Sequence, residues 1–298
     1  VGTRPPPDGE PVIDPSDVQV AVVAFNPGEA LQPLCAVLIA AGCRVLVVDN
    51  ASESGLDVLE RCRSAGAVVV RSEENAGVSG ALALALEYAH GGRWLLTFDQ
   101  DSVIEPAFLS KLFATSAVRD RAVAMIGPHV VDAASGDLLQ GHLGSTHPYD
   151  ARLIITSGAL CRISALDDVG GFSEDLFIDH VDHDVCLRLR GRGWRIAIEP
   201  AAVMRHSIGQ MQTHVVAGLG IRNSHHGADR QYYKYRNFLL LIGRGTARQD
   251  LPWAFRTLLA LTWAPLKLVV FEDNRAAKLK AIAAGIRDGL LGRSGRRQ

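Results

Sequence analysis

Apolar and polar positions follow two periods along the first hundred residues. Val18 to Phe25 is a run of β-branched and apolar side chains that stops at Asn26-Pro27-Gly28, which predicts a buried strand followed by a turn. Leu31, Leu34, Val37 and Leu38 fall at helical spacing, so a helix is expected over 30–41, ending at Gly42. Arg44 to Val48 reads as a second strand ending at Asp49-Asn50-Ala51-Ser52, Leu56 to Ala65 as a second helix closed by Gly66, and Ala67 to Arg71 as a third strand. Asn75-Ala-Gly77-Val-Ser-Gly80 opens a third helix running towards His90, and Trp94 to Phe98 is a fourth strand. Strands alternating with helices in this way predict an α/β domain with a mostly parallel sheet and helices on both faces.

Further along, the pattern predicts a helix from Pro106 to Val118, a strand over Val123 to Gly127, a hairpin turn over Asp132 to Gly136, and a strand over Arg195 to Ile198. Ser207 to Asp229 is polar, carries several glycines and has no period; a stretch of that kind is expected to be an active-site lid or disorder. Leu251 to Phe271 is the most apolar long stretch, interrupted by Arg256, Pro265 and Lys267. It approaches the ~20 residues that span a bilayer, but its charges and proline favour a pair of helices docked on the domain or lying at a membrane interface. The expected organisation is a flexible leader over 1–16, one α/β domain over 17–245, and a helical basic extension over 246–298 that touches a membrane surface or a second copy.

Composition narrows the classes. The chain has 298 residues, a formal net charge of −1 and 21% charged residues, so bulk electrostatics give no footprint for nucleic acid. Its five cysteines, Cys35, Cys43, Cys62, Cys161 and Cys186, are odd in number and lack Cys-x-x-Cys spacing. They are expected as reduced thiols rather than a disulfide frame or zinc site. Val1 to Ser16 is polar and Pro-rich, unlike a secretory signal. A cytoplasmic protein is expected, with contact to the cytoplasmic face of the membrane through the basic segment from Arg275 onward.

The candidate chemistry sits at strand ends. Trp94 to Phe98 stops at two carboxylates, Asp99 and Asp101. Ligands of open α/β sheets bind outside the carboxyl ends of the strands, and paired carboxylates suit a hard divalent cation that completes its shell with phosphate oxygens. An Asp-x-Asp also occurs as a plain loop start or helix cap. Asn26 and Asp49 end two other strands, and polar groups converging from separate strands make a nucleotide pocket. Neither Gly-x-Gly-x-x-Gly nor a phosphate loop of the ATPase type follows the first strand. Acidic residues crowd into Asp175 to Asp184, beside Phe177, Ile178 and Val181. Partial burial there would raise the proton affinity of Asp179, Asp182 or Asp184, which suits a general base; N-terminal helix capping is the competing use. His206 follows a strand and is a candidate metal ligand.

The segments Ala24-Phe-Asn-Pro, Val48-Asp-Asn-Ala-Ser, Glu74-Asn-Ala-Gly-Val, Phe98-Asp-Gln-Asp-Ser, Gly170-Gly-Phe, Leu176-Phe-Ile-Asp-His-Val-Asp-His-Asp, His206-Ser-Ile-Gly and Tyr232-Tyr-Lys-Tyr-Arg-Asn, in this order, resemble the family-2 inverting glycosyltransferases of the GT-A fold, a Rossmann-like nucleotide-diphospho-sugar transferase fold. Within them they resemble the bacterial rhamnosyltransferases that use dTDP-L-rhamnose. The resemblance covers Val18 to Arg244. It implies that Asp49 contacts the base, Asn75 and Gly77 lie against the nucleotide, Asp99 faces the ribose, and Asn26 and Gln100 belong to the donor site. It implies Asp101 and His206 as ligands of Mg²⁺ or Mn²⁺, and Asp182 as the base for the acceptor hydroxyl, with Asp184 as second candidate. Arg230, Arg236 and Asn237 match a motif expected near the diphosphate or the acceptor. The implied partners are dTDP-L-rhamnose and a saccharide or lipid-linked acceptor; the C-terminal segment adds the inner-membrane surface or a second copy in a homodimer as expected contacts. A UDP-hexose or UDP-galactofuranose donor keeps the same fold, and a non-catalytic scaffold is the reading from another class.

Overall fold

The computed structural model describes residues 13–206, 211–216, 219–224 and 227–297. The chain opens with β1 (Val18–Ala24), α1 (Leu31–Ala40), β2 (Arg44–Asp49), α2 (Leu56–Ser64), β3 (Val68–Arg71), α3 (Gly77–Ala89) and β4 (Trp94–Asp99). These strands lie parallel in the order β3-β2-β1-β4. Alternate residues of β1 enter opposite layers, Val20 and Val22 one core and Ala21 and Val23 the other. A strand covered by helices on both faces has no polar side to show, hence its unbroken apolar run.

Beyond β4 the sheet changes direction. The next elements are β5 (Val103–Ile104), α4 (Phe108–Ala114), β6 (Val123–Asp132), β7 (Leu138–Gln140), β8 (Tyr149–Ala151), β9 (Ala159–Arg162), α5 (Ile163–Asp168), α6 (Val181–Gly191) and β10 (Arg195–His206). β9 runs antiparallel to both β4 and β6, while β6 and β10 are parallel. The ten-stranded sheet is therefore mixed, its parallel character strongest in the first four strands. The helix expected over Pro106 to Val118 stops at Ala114 and becomes a 3-10 turn, Ser116–Arg119. The turn after β6 is where the pattern placed it, with Asp132 Oδ1 accepting from the amides of Ala134 and Ser135 at 2.9 and 2.7 Å.

β10 is three times the length of the expected strand, because it passes through Pro200. Proline cannot donate to a ladder, and the pairing with β6 jumps from Glu199↔Pro128 to Val203↔His129. Residues 200–202 bulge out, and Glu199 Oε1 accepts from the Ala201 amide at 2.9 Å. Pairing then resumes and carries β10 to His206.

The stretch expected as an unstructured lid contains a hairpin, β11 (Met211–Val216) and β12 (Leu219–Ser224), followed by α7 (Ala228–Gly243). Residues 207–210, 217–218 and 225–226 of that stretch lie outside the described residues, as do 1–12 of the expected leader. Within the leader, Ile13 is buried and Pro15–Asp17 form a 3-10 turn capped by Asp14.

The expected C-terminal helix pair is corrected. Leu251 to Phe271 is one helix, α8, that continues through Pro265, and α9 (Arg275–Leu290) follows. Pro265 has no N–H for the carbonyl one turn back, that of Leu261. Tyr235 on α7 supplies the missing donor: its hydroxyl reaches the Leu261 carbonyl at 2.6 Å. Leu261 and Leu268 pack beside it with Phe238 and Ile282. α9 lies close on α7, since a Cβ at Gly285 would stand 2.4 Å from the Tyr232 carbonyl oxygen. Tyr235→Phe is expected to destabilise the protein by about 1–3 kcal/mol, by leaving a buried carbonyl unpaired. In a Pro265→Ala background, where residue 265 regains its N–H, the same change should cost much less. Chemical denaturation of the four proteins of this double-mutant cycle checks it.

Candidate active site

Asp99 ends β4, and the chain turns within two residues into β5. β5 pairs antiparallel with the last residues of β10, Val103 opposite Arg205 and Ile104 opposite Met204. This pairing brings Asp99, Asp101 and His206 together, with one ligand atom of each within 4.8 Å of the others. His206 Nδ1 is buried without a hydrogen-bond partner. Burial pushes the Asp99 carboxyl up to about 6, and Asp101 and Asp182 add to the rise against the pull of His206 and Arg230. Crowded carboxylates with an orphaned imidazole nitrogen fit a divalent cation, which takes oxygen and imidazole ligands and supplies the missing charge.

Across the cleft stands the turn into α6. Phe177, Asp179 and His180 all have positive φ, 65°, 64° and 61°, a conformation that costs energy for residues with a Cβ. Hydrogen bonds from α7 and α3 hold it. Asn237 Nδ2 donates to the carbonyls of Leu176, Ile178 and Asp179 at 2.8, 2.7 and 2.9 Å. The Phe177 carbonyl accepts from the Ser79 amide in the first turn of α3, at 3.2 Å. That approach requires Gly77, where a Cβ would lie 2.2 Å from the same carbonyl oxygen.

The turn delivers Asp182 to a cavity of about 360 Å³ shared with Asp99, Asp179, His206, Arg230 and Lys234. Asp182 Oδ1 meets His183 Nδ1 at 3.0 Å. Burial by itself would raise the Asp182 carboxyl, as the sequence suggested. The charge and hydrogen bond of His183 outweigh it and bring Asp182 down to about 2. Conversely, burial would lower His183, and Asp182 lifts it. The expectation of a raised proton affinity here is thus reversed, and Asp182 stands as a carboxylate. Asp184, the second candidate base, faces away. It is 1% exposed, accepts from Ser173 Oγ at 2.7 Å, and pairs with Arg188. Arg188 in turn donates to the carbonyls of Val169 and Gly171, so Asp184 locks the turn at Gly170-Gly171.

At the other end of the cleft, Asp49 is 1% exposed, accepts from the Ser52 amide at 2.9 Å and lies 3.4 Å from Arg71. Asn75 Oδ1 accepts from the Gly77 amide and from Asn50 Nδ2. Asn26 Oδ1 accepts from the amides of Glu53 and Ser54. Gln100 uses both ends of its amide on the Phe25 backbone, at 2.8 and 3.1 Å. These polar side chains tie the strand-end loops to one another.

Residues 19–160 match the family model for glycosyl transferase family 2. The chain carries a glycosyl transferase family 2 domain. It is 27% identical to the dTDP-rhamnosyl transferase RfbF of Shigella flexneri over 94% of this chain and 97% of that protein. Of solved structures, S. aureus TarS 1-349 in complex with UDP-GlcNAc superposes with a TM-score of 0.60 at 15% identity, covering 92% of this chain and 81% of that one. GalNAc-T7 with UDP, GalNAc and Mn²⁺ gives a TM-score of 0.54 at 14% identity, and this chain spans 44% of its length. The chain is therefore a glycosyltransferase of the GT-A fold.

In this transferase the motif at the start of α7 divides. Arg230 stays in the cleft and pairs with Asp179 at 2.7 Å. Arg236 does not face the cleft: it is 1% exposed, stacked against Tyr233, and donates to the carbonyls of Asp175 and Leu176. Asn237 likewise braces the turn. The sequence reading missed His183, His180 and Trp253. His180 is buried with neither ring nitrogen paired, and burial pushes it down to about 4. Trp253, from α8, stacks on His183 with ring centroids 5.2 Å apart. It also lines a second cavity, of about 530 Å³, that opens beyond His206 among Tyr149, Arg152 and Arg256. No motif flagged Trp253, whose distance along the chain hides the contact.

The Asp182–His183 pair is expected at full strength between pH 3.8 and 6.5, the ordinary values of its members. Its contribution to stability is lost as pH falls through about 2, and on the other side as pH rises through the raised value of His183. In His183→Gln the Asp182 carboxyl should titrate higher than about 2, observable in a carboxyl-carbon NMR titration. Asn237→Asp, which turns a shared donor into an acceptor facing three carbonyls, should lose at least tenfold in turnover and several degrees of Tm.

Proposed function

We propose that this glycosyltransferase moves L-rhamnose from dTDP-L-rhamnose to a hydroxyl of a saccharide or lipid-linked saccharide, with inversion, in cell-surface polysaccharide synthesis. The observation that carries the reading is the end-to-end match to a dTDP-rhamnosyl transferase, joined to a cleft that holds Asp99, Asp101, Asp182 and His206 together.

In this reading the donor lies across the ends of β1, β2 and β4, with Asp49 at the base and Asp99 at the ribose. Asp101 and His206, beside Asp99, would hold a Mg²⁺ or Mn²⁺, which supplies positive charge to the departing diphosphate. Arg230, paired with Asp179 and near enough to Asp99 to act on its charge, adds a fixed positive charge to the cleft. Asp182 is ionised at neutral pH and accepts the proton of the acceptor hydroxyl as its oxygen bonds to the anomeric carbon. The bond from that carbon to the diphosphate oxygen breaks on the opposite face. One displacement inverts the configuration, with no covalent enzyme intermediate and no second catalytic carboxylate. His183 keeps Asp182 in its ionised form, able to accept the proton as the C–O bond forms and the hydroxyl becomes strongly acidic.

Thermal-shift titration is expected to show stabilisation by dTDP above UDP and GDP, enhanced by Mg²⁺ or Mn²⁺. Asp182→Asn should lower transfer by about 10²–10⁴ while leaving the dTDP shift intact. Equal or greater stabilisation by UDP would move the donor away from dTDP-rhamnose.

A further inference from the structure

α8 turns an apolar ridge away from the molecule. Leu251, Phe255, Leu259, Trp263, Leu266 and Val270 are each at least 43% exposed. At 100° per residue they share one face of about 120°. Leu261 and Leu268, on the opposite side, are 5% and 2% exposed against α7 and α9. A contiguous row of this size is far more than the scattered apolar side chains of an ordinary surface. By length and composition this helix is also the one, among the described residues, able to cross a membrane. Its attachment argues otherwise: Tyr235 binds the Leu261 carbonyl, and Leu261 and Leu268 are packed into the body, so the helix lies along the protein.

Charge identifies the occupant. From Thr246 to Phe271 the exposed charged residues are Arg248, Arg256 and Lys267. The one acidic residue in that span, Asp250, is 2% exposed and held by Arg152 and Arg190. Arg256 and Lys267 project from one margin of the ridge, where long cationic side chains reach a headgroup layer while the apolar face sinks beneath it. A second copy packed ridge to ridge would bring these cations towards their own counterparts with no exposed carboxylate on the helix to pair them. The C-terminal basic residues, expected to supply lipid contacts, are mostly engaged: Lys278 with Glu272, Arg287 and Arg293 with Asp288, Arg297 with Asp229.

We propose that α8 lies in the plane of an anionic bilayer surface, its ridge buried in the acyl boundary and Arg248, Arg256 and Lys267 at the level of the lipid phosphates. Arg256 and Trp253 also line the cavity of about 530 Å³ beyond His206. On the transferase reading, an acceptor anchored in that surface would present its saccharide to this cavity, which shares His206 with the cavity that holds Asp182. The seat itself does not rest on the donor's identity.

The test is co-sedimentation of the full chain with vesicles of phosphatidylcholine alone and of phosphatidylcholine with 30 mol% phosphatidylglycerol, at low and high salt. Binding to the anionic vesicles is expected, weakened by salt. Phe255→Ser with Leu266→Ser should reduce it at least tenfold, and Arg248→Gln with Lys267→Gln should erase the preference for phosphatidylglycerol. An unchanged dTDP thermal shift shows that the variants are folded. A wild-type chain that responds to dTDP yet ignores both vesicles overturns the seat and leaves the donor reading standing; vesicle binding without a dTDP response does the reverse. A stable dimer that the Phe255/Leu266 variant dissolves would overturn the proposal in favour of a second copy. Vesicle binding that survives alkaline carbonate would overturn it in favour of a spanning helix.

Discussion

The cleft depends on a backbone that three side chains would rather not adopt. Phe177, Asp179 and His180 hold positive φ, and each would relax if the turn were released. Asn237 prevents this by sharing one amide among three carbonyls, and Gly77 by letting α3 come close enough to donate to a fourth. The restraint comes from two ends of the chain: the parallel half of the sheet and the helices after the hairpin. Asp182 begins α6 directly after that turn, so its position is set jointly by α3 and α7. Strain at a reactive centre, offset by hydrogen bonds around it, is the usual way such a geometry persists.

The same cleft crowds acidic and basic side chains into one buried space. Asp99, Asp101, Asp179 and Asp182 meet Arg230, Lys234, His183 and His206. Burial above all pushes Asp99 towards its neutral form, while the charge and hydrogen bond of His183 hold Asp182 ionised. Two carboxylates in one cleft are thereby given different characters by burial and by neighbours, the pattern by which active sites separate roles. Trp253 joins this electrostatic centre to α8, stacking on His183 from the side of the helix that packs on the body.

The sequence made the parallel half of the fold readable because strands covered on both faces must be apolar throughout, and their ends must be polar. Asp99, Asp101 and His206 could be nominated from strand ends alone. The antiparallel half was harder: β7, β8 and β9 are short, and partners such as β4 and β9 are far apart along the chain. Asp182 and Asp184 are indistinguishable as residue types, but Arg188 one turn beyond Asp184 was an available sign of a structural ion pair. Arg236 and Asn237 stood out as a motif without revealing that their targets are carbonyls. The direction of the Asp182 shift was hidden because burial was visible in the neighbouring apolar residues, whereas the orientation of the His183 ring was not.

The bulge at Pro200 sets a length as well as a shape. Three residues of β10 are spent between Glu199 and Val203 while β6 advances by one step, and the ladder to β5 and β6 then fixes the count as far as His206. Successive strand residues point to opposite faces, so the bulge works as a ruler whose last mark is an imidazole. A single residue inserted before it, with the bulge held at three residues, would slip every later residue one place along the ladder and set the guanidinium of Arg205 among the carboxylates instead.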